Sequence, residues 1–492
     1  MNKSFRMMQI VLLIALIVSL VGCGGPATPA PQAPAATQPP AAEPTTAPAI
    51  AATEAPAAAT AAPAAATKAP AAPAGPTKLS MWYHGAGNKT EKDVLLGIIK
   101  DYNASQDKYM VEVQDFPQIS YNESVVATAL AGNLPDILDV DGPVMPNWAW
   151  SGYMTPLDIP QDKLDKFLPT TIGKWNDKVY SVGLWEAACA IYARKSVLDK
   201  YGIRIPTLEK PWDLKEFNAA LETLKASGEY KYVLDMGMAW KGEWYPYGFS
   251  PFLQSFGGDI VDRSTFTTAE GALNGPEAVA FGEWWQSLFK KGYVSGTTQD
   301  SADRDTGFID GKYALQWNGN WAGGLAKEKV GDDLLILPAP NFGNGARIGA
   351  GSWQFGISAN SKNKEGATEF IEFMMQDKYM VQFSDVTGNI PATTAAAAAS
   401  KNYAPGSAFA IFFDYTAAQA TLRPPTPAYM SAALTFEKAL ADIANGADVT
   451  TILDAATDEI NADIKANKGY GFDGSVVGPT IKEDAIAKAN PK

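Results

Sequence analysis

The chain has 492 residues, with 53 acidic against 40 basic side chains, a net charge of −13 and one histidine. An acidic balance of this size argues against nucleic acid as a partner, because phosphates recruit basic surfaces. Its only cysteines, Cys23 and Cys189, exclude a disulfide-stapled scaffold, and no cysteine pair is spaced to hold a metal.

At the N-terminus, Lys3 and Arg6 precede an apolar run from Ile10 to Val18, followed by Ser19-Leu20-Val21-Gly22-Cys23. A basic head, an apolar stretch and small residues at its end describe a secretion signal. The run is too short to span a bilayer, which needs about 20 apolar residues. Leu-Val-Gly-Cys resembles the bacterial lipobox, in which the cysteine is acylated and becomes the first mature residue. That resemblance implies a signal peptide over 1–22 and a lipid anchor at Cys23, on the outer face of the cytoplasmic membrane or in a periplasm. Loss of Lys3 and Arg6 takes the charge from −13 to −15. Residues 26–76 are almost wholly Ala, Pro and Thr, with Glu43, Glu54 and Lys68 the only charges. Such a segment buries too little apolar surface to order itself, so 23–77 reads as a tether, about 150 Å long if fully extended.

Residues 78–492 are long enough that two lobes are expected rather than one core. Lys78–Tyr83 alternates as a strand and runs through a glycine turn into a helix. Thr90 is the expected N-cap of that helix, with Val94, Leu95, Ile98, Ile99 and Tyr102 on its apolar face. Tyr109–Phe116 and Pro135–Val140 read as strands around a helix marked by Val125, Val126, Ala129 and Leu130. Alternation at this spacing predicts βαβ units and a parallel sheet covered on both faces. Val179–Ala193 is strand-like, Asp213–Leu224 and Pro276–Phe289 are helical, and Leu334–Leu337 is a strand. Glu365–Gln376 and most of the chain after Ala428 read as helix. Cys189, within Ala187–Ile191, is expected to be a small buried hydrophobe.

Residues 308–324, FIDGKYALQWNGNWAGG, place a turn at Asn318–Trp321 after the apolar run Tyr313–Gln316. Phe308, Gly311, Lys312, Ala314 and Gly319-Asn320-Trp321 resemble the signature of the bacterial extracellular solute-binding proteins, family 1, the maltose-binding-protein group. Leu134-Pro135-Asp136-Ile137 with Asp141, the stretch AWSGYMTPLD at 149–158, YSVGLWEAACAIYARK at 180–195 and Thr387–Pro391 are similar to further family elements in the same order. Position 193 is Ala, 194 is Arg, and the turn after the first strand lacks an acidic–basic pair; these departures bear on the ligand rather than the fold.

The resemblance implies an α/β, two-lobed periplasmic-binding-protein-like fold (type II), with a ligand cleft between lobes joined by three hinge crossings near 183–187, 312–317 and 400–406. The lobes would be 78–184 with 317–400, and 185–316 with 401–492. It implies the substrate-binding component of an ABC importer, capturing a sugar and delivering it to the permease, as a monomer without cofactor or metal.

A sugar offers flat CH faces and dense hydroxyls, so its site pairs aromatic rings with carboxylates and amides. Trp321 on the strand-end turn and Trp353 among Gly349, Gly351 and Ser352 are the stacking candidates. Asp141 follows a strand and is expected to accept hydroxyls or to cap. Trp185 and Glu186 occupy the first crossing, where Glu186 aligns with an acidic sugar-binding residue of the family. Glu243, Trp244 and Tyr245 match a family loop that holds sugar; Arg423, Tyr429 and Asn320 lie in segments that resemble cleft elements. His84 ends the first strand, with ligand contact and turn packing evenly weighed.

Catalysis finds little support: no serine sits in a nucleophile elbow, there is no H-E-x-x-H and no P-loop. Asp303–Gly307 lacks the later acidic positions of a calcium loop. The enzymatic rival is a secreted glycosidase using Glu186 and Glu243, which would need them about 5–10 Å apart across one bond. A surface adhesin would fit the tether but not the cleft aromatics. Among binders, glycerol phosphate would want more arginine and a polyamine more carboxylates.

Overall fold

The computed structural model describes residues 75–86, 88–295 and 306–471; the secretion signal, Cys23, the tether up to residue 74 and Asp303–Asp305 lie outside the described residues. The chain begins with β1 (Thr77–Ala86), β2 (Tyr109–Pro117), β3 (Ile137–Asp141), β4 (Met154–Thr155), β5 (Ile172–Trp175) and β6 (Lys178–Val182). Next come β7 (Trp185–Glu186), β8 (Cys189–Arg194), β9 (Leu234–Asp235), β10 (Leu315–Gly319) and β11 (Leu334–Leu337). β12 (Ile348–Ala350), β13 (Trp353–Ser358), β14 (Ile390–Pro391) and β15 (Ala420–Leu422) complete the set.

Two main sheets result. The first runs β2-β1-β3-β13-β6-β5, with β4 beside β13. Its β1 pairs are parallel, as the βαβ reading expects, while β13, β6 and β5 add antiparallel. The second runs β11-β8-β10-β9. Each sheet has its own core. One gathers Leu79, Leu95, Ile98, Ile357, Phe370 and Phe383; the other gathers Ile191, Trp212, Phe252, Trp285, Trp317 and Phe436.

Local chemistry explains the helices that brace them. Lys89–Ser105 buries Val94, Leu95, Ile98, Ile99 and Tyr102, the stripe its spacing predicts. It starts earlier than the Thr90 cap anticipates: the Asn88 side chain accepts the Glu91 amide and donates to its carboxylate at 2.7 Å. Leu214–Ala226 opens on a capping box between Asp213 and Glu216. Pro276–Lys290 buries both tryptophans because it is covered on two sides: Trp284 Nε1 donates to Asn218 and Trp285 Nε1 to the Leu440 carbonyl.

Chain crossings between the sheets set the cleft. The first lies between β6 and β8, through β7. The second does not fall at 312–317. β10 and β11 both pair with β8 in the second sheet, and the chain returns to the first only between β12 and β13, at Gly351-Ser352. Residues 317–350 therefore sit with the second sheet rather than the first. The third crossing passes near Ala396 and Ala397, one in each core. The halves also touch directly: Tyr429 and Ala433 pack among Tyr121, Val140 and Trp148, while Phe436 and Leu440 of the same helix serve the second core. Among the described residues no helix is long and apolar enough to cross a membrane.

Candidate functional site

The carboxyl ends of β1 and β3 lie side by side, and β13 starts antiparallel beside them, with Trp353 paired to Asp141. Strand ends of this kind are where open α/β sheets present ligand groups. His84, on β1, lies flat against the Trp353 indole, centroids 3.7 Å apart and planes 5° from parallel. Its Nδ1 bonds the Asp139 carboxylate, its backbone N–H reaches the same oxygen at 3.2 Å, and Nε2 lies 3.7 Å from Glu91. Glu91 accepts the Tyr83 hydroxyl at 2.6 Å. Burial alone would strip the imidazole of its proton, but Asp139, with Glu91 and Asp141 behind it, holds that proton above the ordinary histidine range. Asp139 is fully buried, and burial pushes its carboxyl up against the pull of His84.

From the other half come Glu243, Arg423 and Tyr429. Glu243 immediately precedes the helix Trp244–Phe256, Arg423 follows β15 and Tyr429 opens the helix Tyr429–Ala444. Arg423 donates from Nη1 and Nη2 to the two Asp141 oxygens at 2.7 and 2.9 Å, and from Nη1 to Glu243 at 2.7 Å. Tyr429 donates its hydroxyl to Glu243 at 2.5 Å. Burial lifts the Glu243 carboxyl from 4.5 to about 6, partly opposed by Arg423 and reinforced by Asp141. Arg423 also lies over the Tyr247 ring, 5.0 Å from its centroid.

Beyond them is an aromatic wall. Half-buried Trp321, in the 3₁₀ turn Asn320–Ala322 after β10, stands 6.2 Å from Trp240, 6.2 Å from Trp244 and 6.1 Å from Tyr247. Trp244 is fixed by its Nε1–H bond to the Met236 carbonyl at 2.9 Å. Gly319 lets the Trp321 ring fold back over β10: a Cβ there would sit 2.1 Å from the indole.

At the crossings, Glu186 is fully buried, and Oε1 accepts the amides of Ala187 at 2.7 Å and Gly351 at 2.5 Å. Burial raises its carboxyl against the pull of Thr170 and those two amides, and nearby Arg423 Nε is left without a hydrogen-bond partner. A buried donor left open at this point is available to a polar group from outside.

The structure thus brings Asp141, Glu243, Arg423, Tyr429, His84 and Trp353 into one chain of contacts, with Trp321 and Trp244 joined to it through Tyr247. Other sequence candidates are placed differently. Trp185 is buried and stacked on Phe383, 4.5 Å between centroids. Tyr245 is buried edge-on against Phe249. Asn320 has both ends of its amide taken by main chain, accepting from Ala188 and donating to Gly388, each at 2.8 Å. Asp139 and Trp240 join the cluster without having been expected from the sequence, and Tyr247 joins it from the Glu243–Tyr247 stretch. A carboxylate inside the wholly buried strand ILDVD was the available signal for Asp139. A shallow surface hollow lined by Lys225, Lys290 and Lys291 shares no residue with this cluster. Among the described residues, no group of acidic, histidine or cysteine side chains is arranged to hold a metal ion.

Residues 97–411 match the family described as bacterial extracellular solute-binding protein. The maltodextrin-binding protein MdxE of Bacillus subtilis is 25% identical over 386 residues, 77% of this chain and 84% of that one. The multiple sugar-binding protein of Streptococcus mutans is 24% identical over 315 residues, 61% of this chain and 72% of that one. In structure, the GacH receptor of Streptomyces glaucescens, solved unliganded and with acarbose, superposes with a TM-score of 0.68 at 21% identity, over 80% of this chain and 99% of that one. That likeness is one of fold.

Proposed function

The chain belongs to the bacterial extracellular solute-binding proteins, and from that premise we propose that it is the substrate-binding component of an ABC importer, closing its lobes on a carbohydrate. One observation carries this reading: carboxylates and partly exposed indoles from both halves join in one chain of contacts, Asp141 and Trp353 from one, Glu243 and Trp321 from the other. Rings take the CH faces of a pyranose, and carboxylates take its hydroxyls. A solute touching both halves favours the closed arrangement and so shifts the population toward it.

Binding without turnover is the chemistry these carboxylates suit. Glu243 is engaged by Arg423 and Tyr429, and Glu186 Oε1 by two main-chain amides, so neither is presented as a free acid–base partner. Further parts of the reading are a lipid anchor at Cys23, docking of the closed form on the permease, and a monomer. We assign 78–184 and 353–396 to one lobe, and 189–350 and 401–471 to the other, following the sheets.

A thermal-shift screen of residues 75–492 against mono- and oligosaccharides, sugar phosphates and polyamines tests it, since a native-state ligand raises Tm with the logarithm of its saturation. A dose-dependent rise with one neutral sugar series, the sugar recovered intact, is the expected result. Cleavage of that sugar, or a response confined to phosphates or polyamines, would overturn it.

A further inference from the structure

His84 has little surface to offer a solute, being 4% exposed, yet it is the group against which the Trp353 indole is laid. Three features fix its ring. Asp139 holds both the imidazole Nδ1 and the backbone N–H of residue 84; Glu91 stands behind Nε2; and the Tyr121 hydroxyl accepts the Asp139 amide at 3.2 Å. Tyr121 also meets the indole edge-on, 5.7 Å between centroids at 72°. One face of Trp353 is thus covered by a ring that cannot turn without breaking buried bonds.

We propose that His84 is a positioning residue for solute capture: its buried ring is the platform that holds Trp353 at the cleft with the opposite indole face turned to the ligand. The inference rests on the carbohydrate-binding reading above. Its physical logic is preorganisation, because a ring already fixed in its bound orientation loses less freedom on stacking. The groups that act on His84 are the acids Asp139 and Asp141 of β3, the latter paired with Arg423, Glu91 of the first helix, and the neighbouring hydroxyls of Tyr83 and Tyr121. This surrounding negative charge favours the imidazolium, which makes the stack a cation–π contact as well.

Two variants separate platform from scaffold. His84→Asn keeps a donor for Asp139 but removes the flat ring. The double variant His84→Phe with Asp139→Asn keeps a flat ring, removes the charge and leaves an acceptor for the backbone amide. Sugar affinity is expected to fall about tenfold in His84→Asn, the scale of one aromatic contact, and to stay near wild type in the double variant. The second readout is the emission attributable to Trp353, taken as wild type minus Trp353→Phe. An imidazolium in contact accepts an electron from excited indole, so this emission should be quenched and should recover as His84 loses its proton at alkaline pH. The pH response should vanish in both variants, which ties it to the imidazolium against Trp353, while the split in affinity between them separates a platform from a purely structural role.

Unchanged affinity in folded His84→Asn, while Trp353→Ala loses binding, would overturn the inference and leave the carbohydrate reading standing. If wild type bound no sugar, the functional reading would fall instead. A Trp353 emission blind to His84 would then overturn the platform too, and a responsive one would keep it. Should His84→Asn not fold, the double variant's affinity and emission decide alone: weakened binding with native melting would overturn the proposal.

Discussion

Arg423 and Asp141, 282 residues apart, are joined by two hydrogen bonds with both groups almost fully buried. Asp141 ends a strand of the first sheet and Arg423 follows a strand of the second half, so this ion pair fastens one side of the cleft to the other. Removing one partner leaves a buried charge uncompensated, at a cost of about 3–5 kcal/mol. Arg423→Ala should therefore lower unfolding free energy in urea by that order. Arg423→Met with Asp141→Leu should lose distinctly less. A double variant as damaged as the two single losses summed would show that the groups act independently of each other.

Trp321 offers two routes to the same effect. Trp321→Ala should weaken sugar binding by roughly 1–3 kcal/mol, the range of a buried aromatic contact. Gly319→Ala removes no ring but puts a methyl 2.1 Å from where the indole lies, so the ring must move. Residue 319 has φ −90°, which alanine adopts without strain. Isothermal titration should show both variants weakened. Full affinity in Gly319→Ala would mean that the ring's position is immaterial to the solute.

The Glu243 carboxyl carries a pH signature. Its folded value, about 6, lies above the ordinary 4.5, so the folded chain holds a proton that the unfolded chain has already released between those values. Its contribution is therefore largest below pH 4.5 and is lost as pH rises through 6. About a quarter of the side chain meets solvent, so the shift is worth about 1 kcal/mol rather than the full ~2 of an unscreened group. Across that window wild type should lose about 1 kcal/mol relative to Glu243→Gln in parallel urea melts. Parallel curves would remove Glu243 as the titrating group.

Cys189, fully buried on β8, has its thiol pushed far up by burial, so little thiolate exists at neutral pH. A disulfide reagent should leave it unlabelled in the native protein and label it at once in denaturant. Rapid native labelling would show that β8 opens.

What the sequence disclosed follows from how local each signal is. The stripe on Lys89–Ser105 was readable because helical spacing is a property of the segment alone. Its start was not, because Asn88 and Thr90 are both competent caps and only the geometry of Glu91 selects between them. The sheet to which β10 belongs was hidden for a different reason. Its partner β8 lies more than a hundred residues earlier, and nothing inside Leu315–Gly319 names it. Asn320 shows the limit at the site itself. A polar residue beside a candidate stacking ring has the same sequence whether its amide meets a solute or, as here, the main chain of Ala188 and Gly388.

The bond from Glu186 to the Gly351 amide ties the first crossing to the second. If opening keeps it, the halves can only swivel about a line through those two points, as a door does about its pins. The Gly351 amide would then trade its hydrogen for deuterium slowly whether solute is present or absent, while amides at the cleft rim quicken when the solute leaves. Gly351 would be the still point from which the travel of everything else is measured.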